Sequence, residues 1–416
     1  MPWRALFRTS GAIWGLVPVC AWMWLVSHQA DFTTAPRYWA AATAQMPLVG
    51  IMPLALCAAA AAWEGVRLKR SRLVGPGAAP TRSFLSIALA QLHALWGVGA
   101  ACVVWALVCV ARLAEGGPGG PDLRILALMG LMVCTYTLVG YAVGWLLPAM
   151  LAVPVAAIAT YLWLAYPVAM EPLWLRQLNG TNLRECCSYR QVLRPAALAA
   201  PALVAAGLAV AALITLIMRV WWQRLLGLVP LVAAVLIAVP LVKPLGYDPS
   251  QPRPTSALSC SDGTPHVCTW PEQEPDAANF RKWAGETAAR LQRAGVSVPA
   301  QYMPTFANPH QALVRSALIS GILLPASNFN CPAQGSWPGQ AAYDPVRGWL
   351  EVTAGSTEAD VAKHFDDGGK TIALIHQVRS LPPRTQLAWY RTNLATLTSC
   401  TEQPRLAPAS YPGGTR

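Results

Sequence analysis

Six stretches of this 416-residue chain contain no Asp, Glu, Lys or Arg: 9–30, 38–63, 83–111, 125–170, 195–218 and 225–242. A bilayer core about 30 Å thick takes about 20 apolar residues at a rise of about 1.5 Å each, so five of these windows each fit one membrane-spanning helix. As a single helix the window 125–170 would reach about 69 Å. It therefore has to turn, and Pro148 in Trp145-Leu146-Leu147-Pro148 is the expected place. Seven spans follow. Soluble cores also hold apolar helices, but shorter ones interrupted by charge. This chain is 55% hydrophobic and 12% charged, against roughly 25% charged in soluble domains. Residues 1–242 are thus read as an α-helical polytopic bundle whose first partner is the lipid bilayer of the cell membrane.

Orientation follows Lys and Arg in short loops, which favour the cytoplasmic side. The densest group is Arg67, Lys69, Arg70, Arg72 and Arg82, between spans 2 and 3. With that loop inside, seven spans put the N-terminus (Arg4, Arg8) inside and the C-terminal region outside. Cysteine placement agrees. Disulfides persist outside the cytoplasm, and Cys186, Cys187, Cys260, Cys268, Cys331 and Cys400 all fall on the external side, while Cys20, Cys57, Cys102, Cys109 and Cys134 lie within spans. Cys260 and Cys268 bracket a turn-rich stretch and make a natural first pair, with Cys331 and Cys400 the next; spacing alone leaves the pairing open. Arg4 and Arg8 before an apolar run also suit a signal peptide, but His28-Gln29-Ala30 is a poor cleavage site, so a retained first span is expected, entered by a short interfacial helix carrying Trp3, Leu6 and Phe7.

Past Val242, residues 243–255 carry four prolines by Pro254 and read as an extended tether. Residues 256–416 then form an extracytoplasmic α+β domain in which helices dominate. Asp276 is placed to open a helix with Phe280, Trp283, Thr287, Leu291 and Ala294 on one face, ending at Gly295. Trp349, Glu351 and Thr353 alternate with Leu350, Val352 and Ala354, as in a strand. Thr357 with Asp360 resembles a capping box, and 371–379 and 385–399 have helical spacing.

The net charge of +12 invites a nucleic-acid reading, but no basic cluster is interleaved with aromatic residues for base stacking, so no nucleic-acid partner is expected. The Arg and Ala excess resembles chains from high-GC bacteria. Gly369-Lys370-Thr371 ends like a phosphate loop, yet position 364, where the first glycine belongs, is His. The stretch Ile375-His376-Gln377-Val378-Arg379-Ser380 approaches the zinc-peptidase H-E-x-x-H pattern but has Gln for the base and Ser for the second ligand. Neither an enzyme nor a cofactor is expected. Ionisable groups within spans mark transport pathways by default, and the windows hold only His93, read as a packing histidine more than an interior-lining one. Small residues at Ala58–Ala62 and Ala196–Ala212 allow close helix packing.

The order of features then matters: a basic N-terminus, a span, a second span ending Ala-Ala-Trp63-Glu64-Gly65-Val66-Arg67-Leu68-Lys69-Arg70-Ser71-Arg72, and Thr81-Arg82-Ser83 before span 3. This resembles the membrane subunit of an ABC-2-type exporter, and Gly140-Tyr141-Ala142-Val143-Gly144-Trp145-Leu146-Leu147-Pro148 is similar to the middle hairpin of such permeases. The resemblance covers spans 1–6, about half the chain. It implies that Arg67, Lys69, Arg70 and Arg72 contact a separate cytoplasmic ATP-binding subunit, and that the chain works as a homo- or heterodimer. A seventh span and a Cys-containing external domain depart from the usual six-span pattern. Three functions remain open: a permease subunit, a membrane-anchored extracytoplasmic binding or sensor module, and a degenerate zinc-peptidase-like external domain with His376 as ligand. In the second, the basic loop serves only to orient the chain.

Overall fold

The computed structural model describes residues 12–29, 35–71, 84–218, 220–329, 331 and 337–412. The chain divides into two compact units, Met1–Pro254 and Thr255–Arg416.

In the first unit the charge-free windows become helices, because a chain in lipid must satisfy its backbone N–H and C=O groups internally. The helices are α1 (Ala12–Gln29), α2 (Ile51–Arg70), α3 (Phe84–Ala111), α4 (Leu123–Leu146), α5 (Ala149–Ala165), α6 (Pro195–Ile217) and α7 (Leu228–Val242). Among the described residues six helical stretches, counted with the short turns that adjoin α3, α5 and α7, are long and apolar enough to cross a membrane: Ile51–Arg70, Ser86–Ala114, Leu123–Leu146, Ala149–Ala169, Pro195–Ile217 and Trp222–Leu245. The expected seventh, α1, has 18 residues, about 27 Å at the usual rise, and it closes on the polar Ser27-His28-Gln29. The turn at Pro148 is as expected: α4 stops at Leu146 and Pro148 caps α5.

The second span departs from expectation at both ends. Its first part is broken into two short helices, Trp39–Ala44 and Met46–Val49. At the other end α2 runs on to Arg70, so Arg67, Lys69 and Arg70, expected in a loop, sit on its last turn. Cations there meet the partial negative charge of a helix C-terminus. Arg67 also reaches Glu64 one turn back, at 3.1 Å, and these contacts carry the helix past Trp63. Arg72, Arg82, Arg219 and the stretch with Trp3, Arg4, Leu6, Phe7 and Arg8 lie outside the described residues.

Helices α2 and α4 approach backbone to backbone. A Cβ on Gly140 would meet the Ala58 carbonyl, one on Gly144 the Ala62 carbonyl, and one on Gly65 the Tyr141 carbonyl at 2.6 Å. Both partners repeat every four residues, one helical turn, so two stripes of small residues mesh. Without a hydrophobic drive between helices in lipid, such van der Waals contact is what holds a pair together.

Hydrogen bonds gather four segments at one end of this bundle. Arg37 N donates to Leu113 O (2.8 Å), Gln45 Nε2 to Arg184 O (2.9 Å), Tyr38 Oη to Gln191 O (2.9 Å) and Asn182 Nδ2 to Tyr247 O (2.9 Å). At the opposite end Leu68 packs with Ala88 and Leu216, and Val66 with Leu147 and Ala149. The basic turn of α2 and the exit toward the second unit therefore lie at opposite ends. Residues 243–254, expected as an extended tether, are strapped to the exit end instead. Strand β2 (Ser250–Pro252) pairs antiparallel with β1 (Gln191–Leu193), Arg194 Nε donates to Ser250 O (2.5 Å), and the Arg176 and Arg253 guanidiniums cover the Tyr247 and Tyr38 rings, each at 4.7 Å. Prolines suit an edge strand, where a missing N–H costs no ladder bond.

The second unit is helical around a small sheet: β3 (Ser259–Cys260) antiparallel to β4 (His266–Thr269), and β5 (Gln301–Tyr302) parallel to β4. Its helices are α8 (Ala277–Arg293), α9 (Gln311–Ile322), α10 (Tyr343–Thr353), α11 (Glu358–Ala362), α12 (Lys370–Arg379) and α13 (Pro383–Thr396). α8 follows Asp276 and buries Phe280, Thr287 and Leu291; Gly295 just beyond it has φ +80°, and Thr357 caps α11. The segment expected as a strand at 349–354 is helical. Val346, Trp349 and Leu350 enter the core at helical spacing, and buried Glu351 is held by Arg347 Nε (3.1 Å) and by the His364 ring (3.2 Å). Six alternating residues are too few to separate a period of 2 from one of 3.6.

Candidate functional site

Helix α2 shows two faces. Ala58, Ala62 and Gly65 meet α4, while Leu56, Ala60, Trp63 and Glu64 line an open groove of about 760 Å³. Leu16, Val19 and Trp22 of α1, Leu95, Val98 and Cys102 of α3, and Val153 of α5 complete much of its wall. Glu64 is the one charged residue in that lining among the described residues, and only 5% of it is exposed. This corrects the expectation that the spans hold no carboxylate: Glu64 lies inside α2, one residue past the charge-free window. Arg67 Nη2 stands 3.1 Å from Glu64 Oε2, but that oxygen accepts no hydrogen bond, so the contact is a charge pair without alignment. An ionised carboxylate has about four acceptor positions, and Glu64 therefore retains capacity for a donor entering the groove.

Arg67, Lys69 and Arg70 are exposed on the last turn of α2. His93 does not reach the groove lining. It is exposed on α3, its Nδ1 lies 2.6 Å from Leu89 O of its own helix, and its ring stands beside Trp96. Polar cross-links instead join α3 to α4: Tyr141 Oη donates to Gln91 Oε1 (2.8 Å) and Trp96 Nε1 to Thr137 Oγ1 (2.8 Å).

In the second unit Cys260 pairs with Cys268 across β3 and β4, and Cys331 with Cys400 across 69 residues. A third pair, the adjacent Cys186 and Cys187, is bonded in the first unit, a pairing not expected from spacing. Residues 267–400 match a family described as Domain of unknown function (DUF7224). The match covers less than half of the chain and lies wholly within the second unit. No curated protein and no solved structure matches.

Within the DUF7224 match, the exposed His376 ring has Glu358 Oε2 at 3.1 Å, and no group of three or more His, Cys, Asp or Glu is placed to hold a metal among the described residues. The Gly369-Lys370-Thr371 turn is occupied from within. Asp367 accepts from Gly369 N (3.0 Å) and Thr371 N (2.8 Å), filling the N-terminus of α12 where a phosphate would otherwise sit. Its hydrogen bonds, that from Thr371 foremost, hold the Asp367 carboxyl below the usual aspartate range. A depressed folded value means that the contribution is complete above the unfolded pKa and is lost as pH falls through the folded one. The protection of amides 368–373, taken relative to their intrinsic exchange at each pH, is thus expected to fall on acidification through and below the ordinary aspartate range, and in Asp367→Ala to be low already at pH 7. Equal protection in the variant at neutral pH would remove this cap.

Proposed function

We propose that the chain is the membrane-spanning, permease-like subunit of an exporter energised by a separate cytoplasmic ATP-binding subunit. The observation that carries this reading is the apolar groove whose single carboxylate, Glu64, touches Arg67 on the exposed basic turn of α2. A partner pressing on Arg67, Lys69 and Arg70 would act one helical turn from the groove. The groove suits an apolar or amphipathic cargo, since pockets of roughly 300–1,000 Å³ with few polar groups are the usual ligand sites.

In this reading the basic end is cytoplasmic, α1 is a seventh span with its N-terminus inside, and the DUF7224 domain is extracytoplasmic. Support comes from the opposition of the two bundle ends and from the three cysteine pairs, one at the exit end of the first unit and two within the second unit. Intracellular disulfides are rare.

The chain, tagged and isolated from its native host in mild detergent, is expected to bring a nucleotide-hydrolysing protein with it. Arg67→Gln, Lys69→Gln and Arg70→Gln combined should lose that protein at unchanged yield. Recovery of no ATPase with the unaltered chain would refute the proposal. A second reading, a membrane-anchored external binding module, is favoured by the confinement of the family match to the second unit. It requires that removing residues 255–416 abolish function while the triple substitution leaves it intact.

A further inference from the structure

The second unit carries a cavity that the export reading does not use. It measures about 390 Å³ and is bounded by Val298, Pro299, Ile322, Pro325 and Leu394, with Gly321 of α9 at its edge. Three hydrogen-bond donors share this lining, from Ser297, Tyr390 and Arg391, and it contains no acidic side chain. Tyr390 is 4% exposed, and its ring is stacked on Trp349 with centroids 5.0 Å apart and planes 25° apart. That stacking fixes the ring, and the hydroxyl, which has no partner among the described residues and is not one of the enclosed unpartnered atoms, opens on the cavity. A phenol O–H that opens on a cavity can donate to an acceptor placed there. Burial pushes the Tyr390 phenol up to about 12, against a smaller opposing effect from Arg391. It stays a donor across the physiological range. The exposed Arg391 spends one N–H on a long 3.4 Å contact with Gly295 O, and a guanidinium has five.

We propose that this cavity is a binding site for a small organic carboxylate with an apolar body, the carboxylate held by Arg391 and Tyr390 and the body lying between Pro299, Pro325 and Leu394. A planar carboxylate matches the guanidinium fork and takes a further hydrogen bond from the phenol. The apolar wall discriminates against bare anions, which would gain nothing from burial there. The site stands whether or not the first unit exports anything.

The test uses the full chain in detergent and 4-phenylbutyrate as probe, with 4-phenylbutan-1-ol as its neutral counterpart, measured by equilibrium dialysis against empty micelles. Saturable binding of the acid near one per chain is expected, with the alcohol at least about tenfold weaker. Arg391→Gln should weaken the acid about tenfold, and Tyr390→Phe by a smaller factor. Gly321→Leu offers a blocking variant that keeps the fold. A Cβ there meets only Pro299 Cγ at 3.7 Å, and leucine favours the helix over glycine. It should abolish binding while leaving the elution profile of the chain unchanged. Absence of saturable binding by the unaltered chain, or binding indifferent to both Arg391→Gln and Gly321→Leu, would overturn the proposal.

Discussion

Gly144→Leu is expected to destabilise the folded first unit strongly. A Cβ at this position meets the Ala62 carbonyl, and the contact is with backbone. A flexible side chain can swing aside; a main-chain carbonyl moves only if its whole helix moves. Overpacking a core usually costs about 1–3 kcal/mol, and separating α2 from α4 adds the loss of the Gly140 and Gly65 contacts that depend on the same spacing. The expected loss is about 3 kcal/mol or more, which would lower an unfolding midpoint by about 10 °C in a unit of this size. Fluorescence-detected gel filtration after graded heating reads it directly. Gly130→Leu, on the same helix α4 with nothing within 4 Å of its Cβ, is the matched control and should be neutral. If the two variants melt together, the close approach is not what holds the helix pair.

Removing the Cys331–Cys400 bond should be the most damaging single change in the second unit. The bond closes 69 residues of chain, for which loop-closure entropy gives about 4 kcal/mol. The Cys260–Cys268 bond closes only 8, worth about 2.5 kcal/mol on the same basis. Cys331→Ser with Cys400→Ser should therefore lower the thermal midpoint of the second unit by about 8–16 °C, clearly more than the Cys260→Ser, Cys268→Ser pair. Amide protection in α13, which ends just before Cys400, should fall first. Equal shifts from the two pairs would show that local strain or denatured-state structure, and not loop length, sets the stabilisation.

Much of the first unit is legible from charge alone, since a charged group in lipid is costly enough to keep Asp, Glu, Lys and Arg out of long stretches. The same rule hides Glu64. A window ended by its first charge assigns that charge to the loop, and only helical spacing from Leu56 and Ala60 places Glu64 on the groove face of α2. In the second unit the helix at α8 is legible because 17 residues sustain a 3.6-residue period. The helix α10 is not, because its alternating run is short and its burial depends on Trp349 meeting Tyr390 from a distant helix.

The sequence by itself determined that the charge-free windows up to residue 242 give apolar helices, that the chain turns at Pro148, and that a compact, cysteine-bearing unit follows. These are consequences of solvation energy and backbone hydrogen bonding, which act residue by residue. Tertiary structure alone decided that Gly140 and Gly144 face Ala58 and Ala62, that residues 243–254 are strapped to β1 and not free, and that Glu64 and Tyr390 each reach a cavity with bonding capacity to spare. Those outcomes depend on which distant surfaces meet, and the energy of such a meeting belongs to pairs of segments whose register no single stretch of sequence encodes.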